Sequence, residues 1–406
     1  MSIPMDQEII SSVPHCSCAK RFKEIFRNID FSDSRRFSDD LLNQLLDHFE
    51  LFRLRKCDVD SDILGNAYEY LIKFFADDAG QKGGEFYTPK EVVQLIVNIL
   101  NPRPNMSIYD PTCGSGGMLL ECHRYIQKMF QGGTCSMFGQ ERNLNTWTMC
   151  RISLLLQNLE NTSIKRGDTI INPQHVHEGK LQTFDMILAN PPFSLKNWGY
   201  TSWKKDGDLF HRDQYGIPPE RYGDYAFIVH ILQSLNERGC AAVVVPMGVL
   251  FRGGKEKDIR KNLIEADLID TIVGLGPNLF FGATIPAAIL FFKKSKAAEQ
   301  KNRIFIVNAE EQFSSGSAQN ILSQEHIQKI SNVVQERREE SLFSRMIDLE
   351  EIRGNDYNLN IIRYVQTTPP PPKINIENVI QTIQIEKNYL EQEYEEMSKL
   401  LQGFNL

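Results

Sequence analysis

The sequence predicts an α/β fold built on a mostly parallel sheet, with a helical region before it and a long helix after it. Three observations carry that expectation. Short apolar runs alternate with helical stretches through the middle of the chain. A glycine-rich turn joins one run to the helix that follows it, and a later run ends abruptly in two prolines.

Residues 1–60 read as helical, because Leu41, Leu42, Leu45, Leu46, Phe49 and Phe52 recur at three- and four-residue spacing. Residues 62–75 continue as helix, and the glycine-rich loop AGQKGGEFYTP follows. The apolar runs are 107–109, 137–139, 184–189, 241–245, 271–274 and 287–292, and helical stretches lie at 116–130, 143–158, 224–237 and 255–266. Residues 304–307 suit an added edge strand, and 323–342 read as a charged helix. The run TTPPPP at 367–372 is a stiff extended spacer. Beyond it Ile376, Ile383, Leu390 and Met397 recur every seven residues, with Ile380, Tyr394 and Leu401 between them and Lys387 as the one break. Such a seam suits a partner helix, or packing back on its own domain. The expected organisation is an N-terminal helical region (1–60), a catalytic domain (61–310), an extension (311–366), and a linker with a C-terminal helix (367–406).

Composition bounds the function. The 406 residues are 41% hydrophobic and 24% charged, and no apolar run reaches the ~20 residues of a membrane span. The start MSIPMDQEIISSVPHCSC lacks the pattern of a secretory leader, so a cytoplasmic location is expected. The eight cysteines form no CxxC pair and read as reduced. His15 with Cys16 and Cys18, and His175 with His177, are each half of a metal site without the other half, so no metal is expected. The net charge of −7 is a poor match for a protein that grips DNA unaided.

Chemistry concentrates in three places. Tyr109-Asp110-Pro111-Thr112-Cys113-Gly114-Ser115-Gly116-Gly117 ends a strand and opens a helix, where glycines let the backbone approach a ligand and the helix start offers unpaired N–H groups. Asp110 can accept from an amino group, Glu141 ends the next run and suits ribose hydroxyls, and Asp168 can accept from an adenine amino group. Each acid alone is as ordinary as a helix cap, but three at successive strand ends form a pattern. Upstream, Thr88 fits an N-cap, Pro89 a first helical position and Glu91 a capping box. That helix start also suits a carboxylate, such as that of a methionine moiety.

Ile187-Leu188-Ala189-Asn190-Pro191-Pro192-Phe193 is the most informative stretch. Two prolines force the chain out of the sheet and stiffen it, and neither carries an N–H. The Asn190 side-chain oxygen and the Pro191 carbonyl can accept both hydrogens of a ring-attached amine, which favours its attack on a sulfonium methyl group. Phe193 offers a face for an extruded base. The loop 194–222 interleaves Lys196, Trp198, Tyr200, Trp203, Lys204, Lys205, His211 and Arg212, as a nucleic-acid-facing loop or a lid would. A second cluster, Arg252, Lys255, Lys257, Arg260 and Lys261, reads as a solvated helix face.

GEFYTP, DPTCGSGG and LANPPF, in that order, resemble the modification subunit of type I restriction–modification systems, which are N6-adenine DNA methyltransferases. The similarity extends to DILGNAYEYLI before them and to GDYAFIVHIL, VVVPMGVLFRGG and LFFGATIPAAILFF after them. The resemblance implies a Rossmann-like, seven-stranded S-adenosylmethionine-dependent methyltransferase acting on N6 of adenine in duplex DNA. By motif match Asn190, Pro191, Pro192 and Phe193 would handle the base. Glu85, Phe86, Tyr87, Thr88, Pro89, Lys90, Asp110, Thr112, Cys113, Gly114, Ser115, Gly116, Gly117, Glu141 and Asp168 would hold the cofactor. The implied partners are double-stranded DNA, a specificity subunit shared by two copies of this chain, and in complete systems a restriction subunit. The region before GEFYTP is shorter than the helical domain expected there, which puts activity without partners in doubt. Competing expectations are methylation of another planar amine (RNA guanine N2, cytosine N4, a protein glutamine) and a non-catalytic scaffold that binds S-adenosylmethionine.

Overall fold

A computed structural model describes residues 33–51, 61–79, 87–159, 161–281, 284–316, 319–366 and 376–403. The expectations for Glu85, Phe86, Cys16, Cys18 and the proline spacer fall outside these residues. The chain divides into two compact units, 1–367 and 368–406.

Among the described residues of the first unit come two helices, α1 (Asp39–Glu50) and α2 (Ser61–Ala79), followed by α3 (Lys90–Leu100). Next come β1 (Ser107–Asp110), α4 (Gly117–Phe130), β2 (Ser136–Glu141), α5 (Leu144–Leu156) and β3 (Thr162–Arg166). A two-residue hairpin, β4 (Val176–His177) and β5 (Lys180–Leu181), precedes β6 (Phe184–Ala189), α6 (Tyr200–Asp206), α7 (Asp224–Gln233) and β7 (Leu235–Pro246). Then follow α8 (Lys255–Glu265), β8 (Ile269–Leu275), β9 (Ala287–Lys293), β10 (Arg303–Ala309), α9 (Gln324–Glu336), β11 (Ser344–Asp348) and α10 (Leu349–Gly354). Helix α11 (Ile376–Gly403) belongs to the second unit.

The main sheet has nine strands in the order β11-β10-β8-β9-β7-β6-β1-β2-β3. The seven expected strands lie side by side within it, β3 through β8, with β9 running antiparallel between β7 and β8. The other joins among those strands are parallel. β10 adds a parallel strand beyond β8, but the expected edge at 304–307 is itself covered by antiparallel β11. β3, spelled TSIKR, is a strand that is not an apolar run, because only one of its residues is aliphatic. The helix expected at 224–237 ends at Gln233, because β7 starts at Leu235 to pair with Phe184.

Side chains alternate between two cores, as the period of two requires. Ile108, Met186 and Leu188 enter the core beneath α3, α4 and α9. Tyr109, Ile187 and Ala189 enter the core beneath α7 and α8. Both faces of the strands are therefore buried, which is why they read as continuous apolar runs.

The loop 194–222 carries its own small core, and the expectation of an aromatic nucleic-acid surface is corrected here. Trp198 and Trp203 are buried edge to face with centroids 5.2 Å apart, and Trp198 Nε1 donates to Pro219 O at 2.9 Å. Arg212 is also buried, stacked 4.5 Å from the Trp203 ring and paired with buried Asp208. Its guanidinium further donates to the carbonyls of Thr169 and Ile170, which fastens the loop to the segment after β3. Leaving Asp208 buried without its partner is costly, whereas an exposed pair holds little. Arg212→Ala is expected to lower unfolding free energy by about 3–5 kcal/mol. Arg303→Ala, which breaks an exposed pair with Asp348, should change it by less than about 1 kcal/mol. Urea titrations of the two variants check the contrast.

Candidate active site

In a parallel sheet whose strand order reverses, a crevice opens beyond the carboxyl ends of the strands on either side of the reversal. Here the order reverses between β1 and β6, which places Asp110 and Asn190 at the crevice.

The loop after β1 is built from its own backbone groups. Asp110 Oδ1 accepts from Thr112 N at 3.0 Å, and Cys113 N donates to Gln140 O at 3.0 Å, tying the loop to β2. Gly114 and Gly116 have φ of 53° and 89°, and a Cβ on Gly116 would lie 2.9 Å from Cys150 Sγ. Only glycine fits position 116. Glu141 braces the loop from β2: its carboxylate accepts from Gly114 N at 3.2 Å and Asn143 N at 2.7 Å. Burial pushes the Asp110 carboxyl up to about 8, and the neighbouring Glu141 charge pushes the same way against the Thr112 hydrogen bond. Burial also raises Glu141, against the backbone N–H groups that it accepts from. A buried acid and a half-buried one suit a ligand that carries donors and positive charge, and the start of α4 suits an acceptor group on the same ligand.

Two clefts meet above β1. The first is bounded by Tyr87 and Thr88 on one side and by Asp110, Thr112, Cys113, Gly114, Ser115 and Gly117 on the other, with Asn190 at its end. The second runs from Thr112 and Asn190 past Pro192 to Glu141 and Asp168. Thr112 and Asn190 line both, so Asn190 stands at the joint. Lys90, with Glu121 and Arg124, borders a side pocket that shares Tyr87, Thr88, Ser115 and Gly117 with the first cleft. Asp168 spends one oxygen on its own turn, accepting from Ile170 N and Ile171 N at 3.0 and 2.9 Å, while the other lies 3.5 Å from Arg142.

Asn190 Nδ2 donates to Thr88 Oγ1 at 3.0 Å. That bond occupies the donor end of the amide and leaves Oδ1, a pure acceptor, for a ligand. The expected capping box is corrected by the same contact: Pro89 is the N-cap of α3, without a side-chain cap bond. Pro191 is buried and Pro192 lines the second cleft. Phe193 is half-buried, edge to face with Phe280 at 6.0 Å.

Reading the sequence missed several cleft residues. Asn143 caps α5 by accepting from the N–H groups of Asn145 and Thr146, and Met149 and Phe227 add apolar walls. Asn143 was legible as a cap, since a helix follows it; Phe227 carried no signal apart from its helix. The cluster 252–261 is corrected too. Arg260 is buried and donates to the carbonyls of Val249, Arg252 and Tyr357, so Lys255, Lys257 and Lys261 alone fit the solvated description.

The N-6 DNA Methylase family profile matches residues 59–370. The methylase subunit of the type I restriction enzyme MjaVII of Methanocaldococcus jannaschii is 37% identical over 76% of this chain and 54% of its own length. The MpnII methylase subunit of Mycoplasma pneumoniae is 30% identical over 87% of this chain and 67% of its own length. The chain thus spans between about half and two thirds of these relatives. A crystal structure of a type I restriction–modification methyltransferase subunit from Streptococcus thermophilus superposes with a TM-score of 0.77 at 32% identity, over 89% of this chain and 75% of that one. The nucleotide-type sheet, the glycine loop braced by an acid and the Asn-Pro-Pro-Phe exit thus coincide with similarity over most of the sequence, and the chain belongs to the N-6 DNA methylase family.

Proposed function

We propose that this chain transfers the methyl group of S-adenosylmethionine to N6 of adenine in duplex DNA, as the modification subunit of a type I restriction–modification complex. The observation that carries the reading is the Asn190 amide, held by Thr88 with its acceptor end free at the joint of the two clefts. The residues present fit the cofactor: a tight turn made by the left-handed Gly114 and Gly116, N–H groups at a helix start, and acids for an ammonium and two hydroxyls. On this reading Asp110 and the 112–117 loop, with Tyr87–Lys90, hold the methionine end. Glu141 takes the ribose hydroxyls and Asp168 the adenine amine. The bound cofactor supplies an electrophilic methyl group.

The amine on adenine is a poor nucleophile because its lone pair is delocalised into the ring. Asn190 Oδ1 and the Pro191 carbonyl accept its hydrogens and stabilise the positive charge that grows on nitrogen as it reacts. The two prolines keep those acceptors from rearranging. Phe193 stacks on the base.

Partners follow from the same proposal. In α11 the seam residues Ile376, Ile383, Leu390 and Met397 are 52–70% exposed, as a helix awaiting a partner helix would have them. A specificity subunit engaged by two copies of this chain fits that helix, with a restriction subunit completing systems that cleave. A cytoplasmic site of action goes with this role.

Tritiated methyl transfer to duplex DNA, with and without the co-purifying partner, tests the activity. Asn190→Ala should lower kcat by about 10²–10³-fold, as removal of one charge-stabilising hydrogen-bond partner does. Label persisting undiminished in that variant would remove the mechanism.

The acid beside the glycine loop gives a pH signature. Asp110 holds its proton up to about pH 8 in the cofactor-free chain, yet an ammonium needs the carboxylate. Binding must then expel a proton, so cofactor affinity rises as pH goes from 6 to 8, by up to about tenfold per unit. Asp110→Asn should bind more weakly and lose that rise. Calorimetric titrations across this range would show it; equal slopes in both proteins would contradict it.

A further inference from the structure

Resting on the methyl-transfer reading of Asn190, we propose that Asp224 and Arg252 are positioning residues that hold the Asn190–Phe193 turn in its working shape. Ser194, the residue after that turn, has φ of 51°, a left-handed conformation that a residue with a Cβ adopts only when its surroundings impose it. The surroundings here are specific. Ser194 N donates to Asp224 Oδ1 at 2.8 Å, and Gly223 N donates to Leu195 O at 3.0 Å. Asp224 is 1% exposed, at the start of α7, where the helix favours a negative charge. Its second oxygen takes Arg252 Nη1 at 3.1 Å, and Arg252 Nη2 reaches back to Ser194 Oγ at 3.3 Å. One guanidinium and one carboxylate thus close a ring through the strained residue, a geometry that a planar fork can span and an ammonium cannot.

Arg252 is itself seated. Its guanidinium lies 4.5 Å from the centre of the Tyr222 ring and 3.3 Å from Glu256, and it packs on Gly248, where a Cβ would come within 2.4 Å of its Nε. Both residues approach from the second face of the sheet. Neither bounds the clefts that hold the glycine loop, so their effect passes through the turn and not through cofactor contacts.

The test has two arms. Hydrogen exchange on the full chain follows the Ser194 amide and the segment 109–118 in Asp224→Asn, Arg252→Gln and Gly248→Ala, the last dislodging Arg252 without touching its charge. Exchange at Ser194 should rise at least about tenfold while 109–118 stays as it was. Methyl transfer to duplex DNA by the assembled complex should show kcat down about 10–100-fold, with cofactor Kd within about twofold. Ser194→Gly placed in the Asp224→Asn background should recover part of that kcat, because glycine adopts the conformation unaided. Unchanged exchange at Ser194, equal rises at both segments, or Kd weakening in step with kcat would overturn the proposal. If the wild-type complex methylates no DNA, the functional reading fails, and the exchange arm still decides whether the turn is held in this way.

Discussion

The hydrogen bond from the Asn190 amide to the Thr88 hydroxyl joins segments 102 residues apart, and much of the site depends on it. A side-chain amide can turn over, presenting either its acceptor or its donors. Here Nδ2 faces Thr88, and the acceptor end is left to the cleft. The parallel sheet makes the bond possible, since it delivers the ends of β1 and β6 to one edge and packs α3 beside them. The packing of the two cores is therefore the indirect source of the site's polarity.

A second constraint is electrostatic. Asp110 is buried with half-buried Glu141 beside it, and each is raised by burial more than its hydrogen bonds lower it. A cleft with two such acids is poorly satisfied without a ligand carrying positive charge and hydroxyls. The cost of burying them becomes selectivity: an anionic or apolar ligand would leave the acids unpaired. The helix start that follows the glycine loop offers the complementary donors, so the same cleft suits a ligand with a carboxylate as well as an ammonium.

The candidate site was more legible in the sequence than the shell around it. DPTCGSGG and NPPF announce themselves because glycine and proline are required by backbone geometry, which leaves a mark on the letters. The supporting shell leaves none. Trp198, Trp203 and Arg212 look like a nucleic-acid surface by composition, and only folding shows them buried against one another. Arg260 sits among lysines in sequence but turns inward to three carbonyls. β3 and β11, spelled TSIKR and SRMID, lack continuous apolar character because they lie at the two edges of the sheet. Thr88 reads as a helix cap in the sequence, and the partner that it takes instead, Asn190, follows a strand that no local pattern could name.

The inward-turned arginines bear on how DNA would be gripped. Arg212, which the sequence places in a nucleic-acid-facing loop, and Arg252 and Arg260, which it places on a solvated helix face, are committed to carboxylates and carbonyls inside the chain. The exposed cations of the 194–222 loop include Lys196, Lys204 and Lys205, set against a net charge of −7. Affinity for DNA rises with the number of phosphates neutralised, so an acidic chain with these three arginines turned inward is poorly equipped to hold a duplex unaided. The proposed division of labour follows from that arithmetic: one subunit keeps its arginines to make a rigid loop around the reacting base, and a partner bound through the exposed seam of α11 supplies the grip and the choice of sequence.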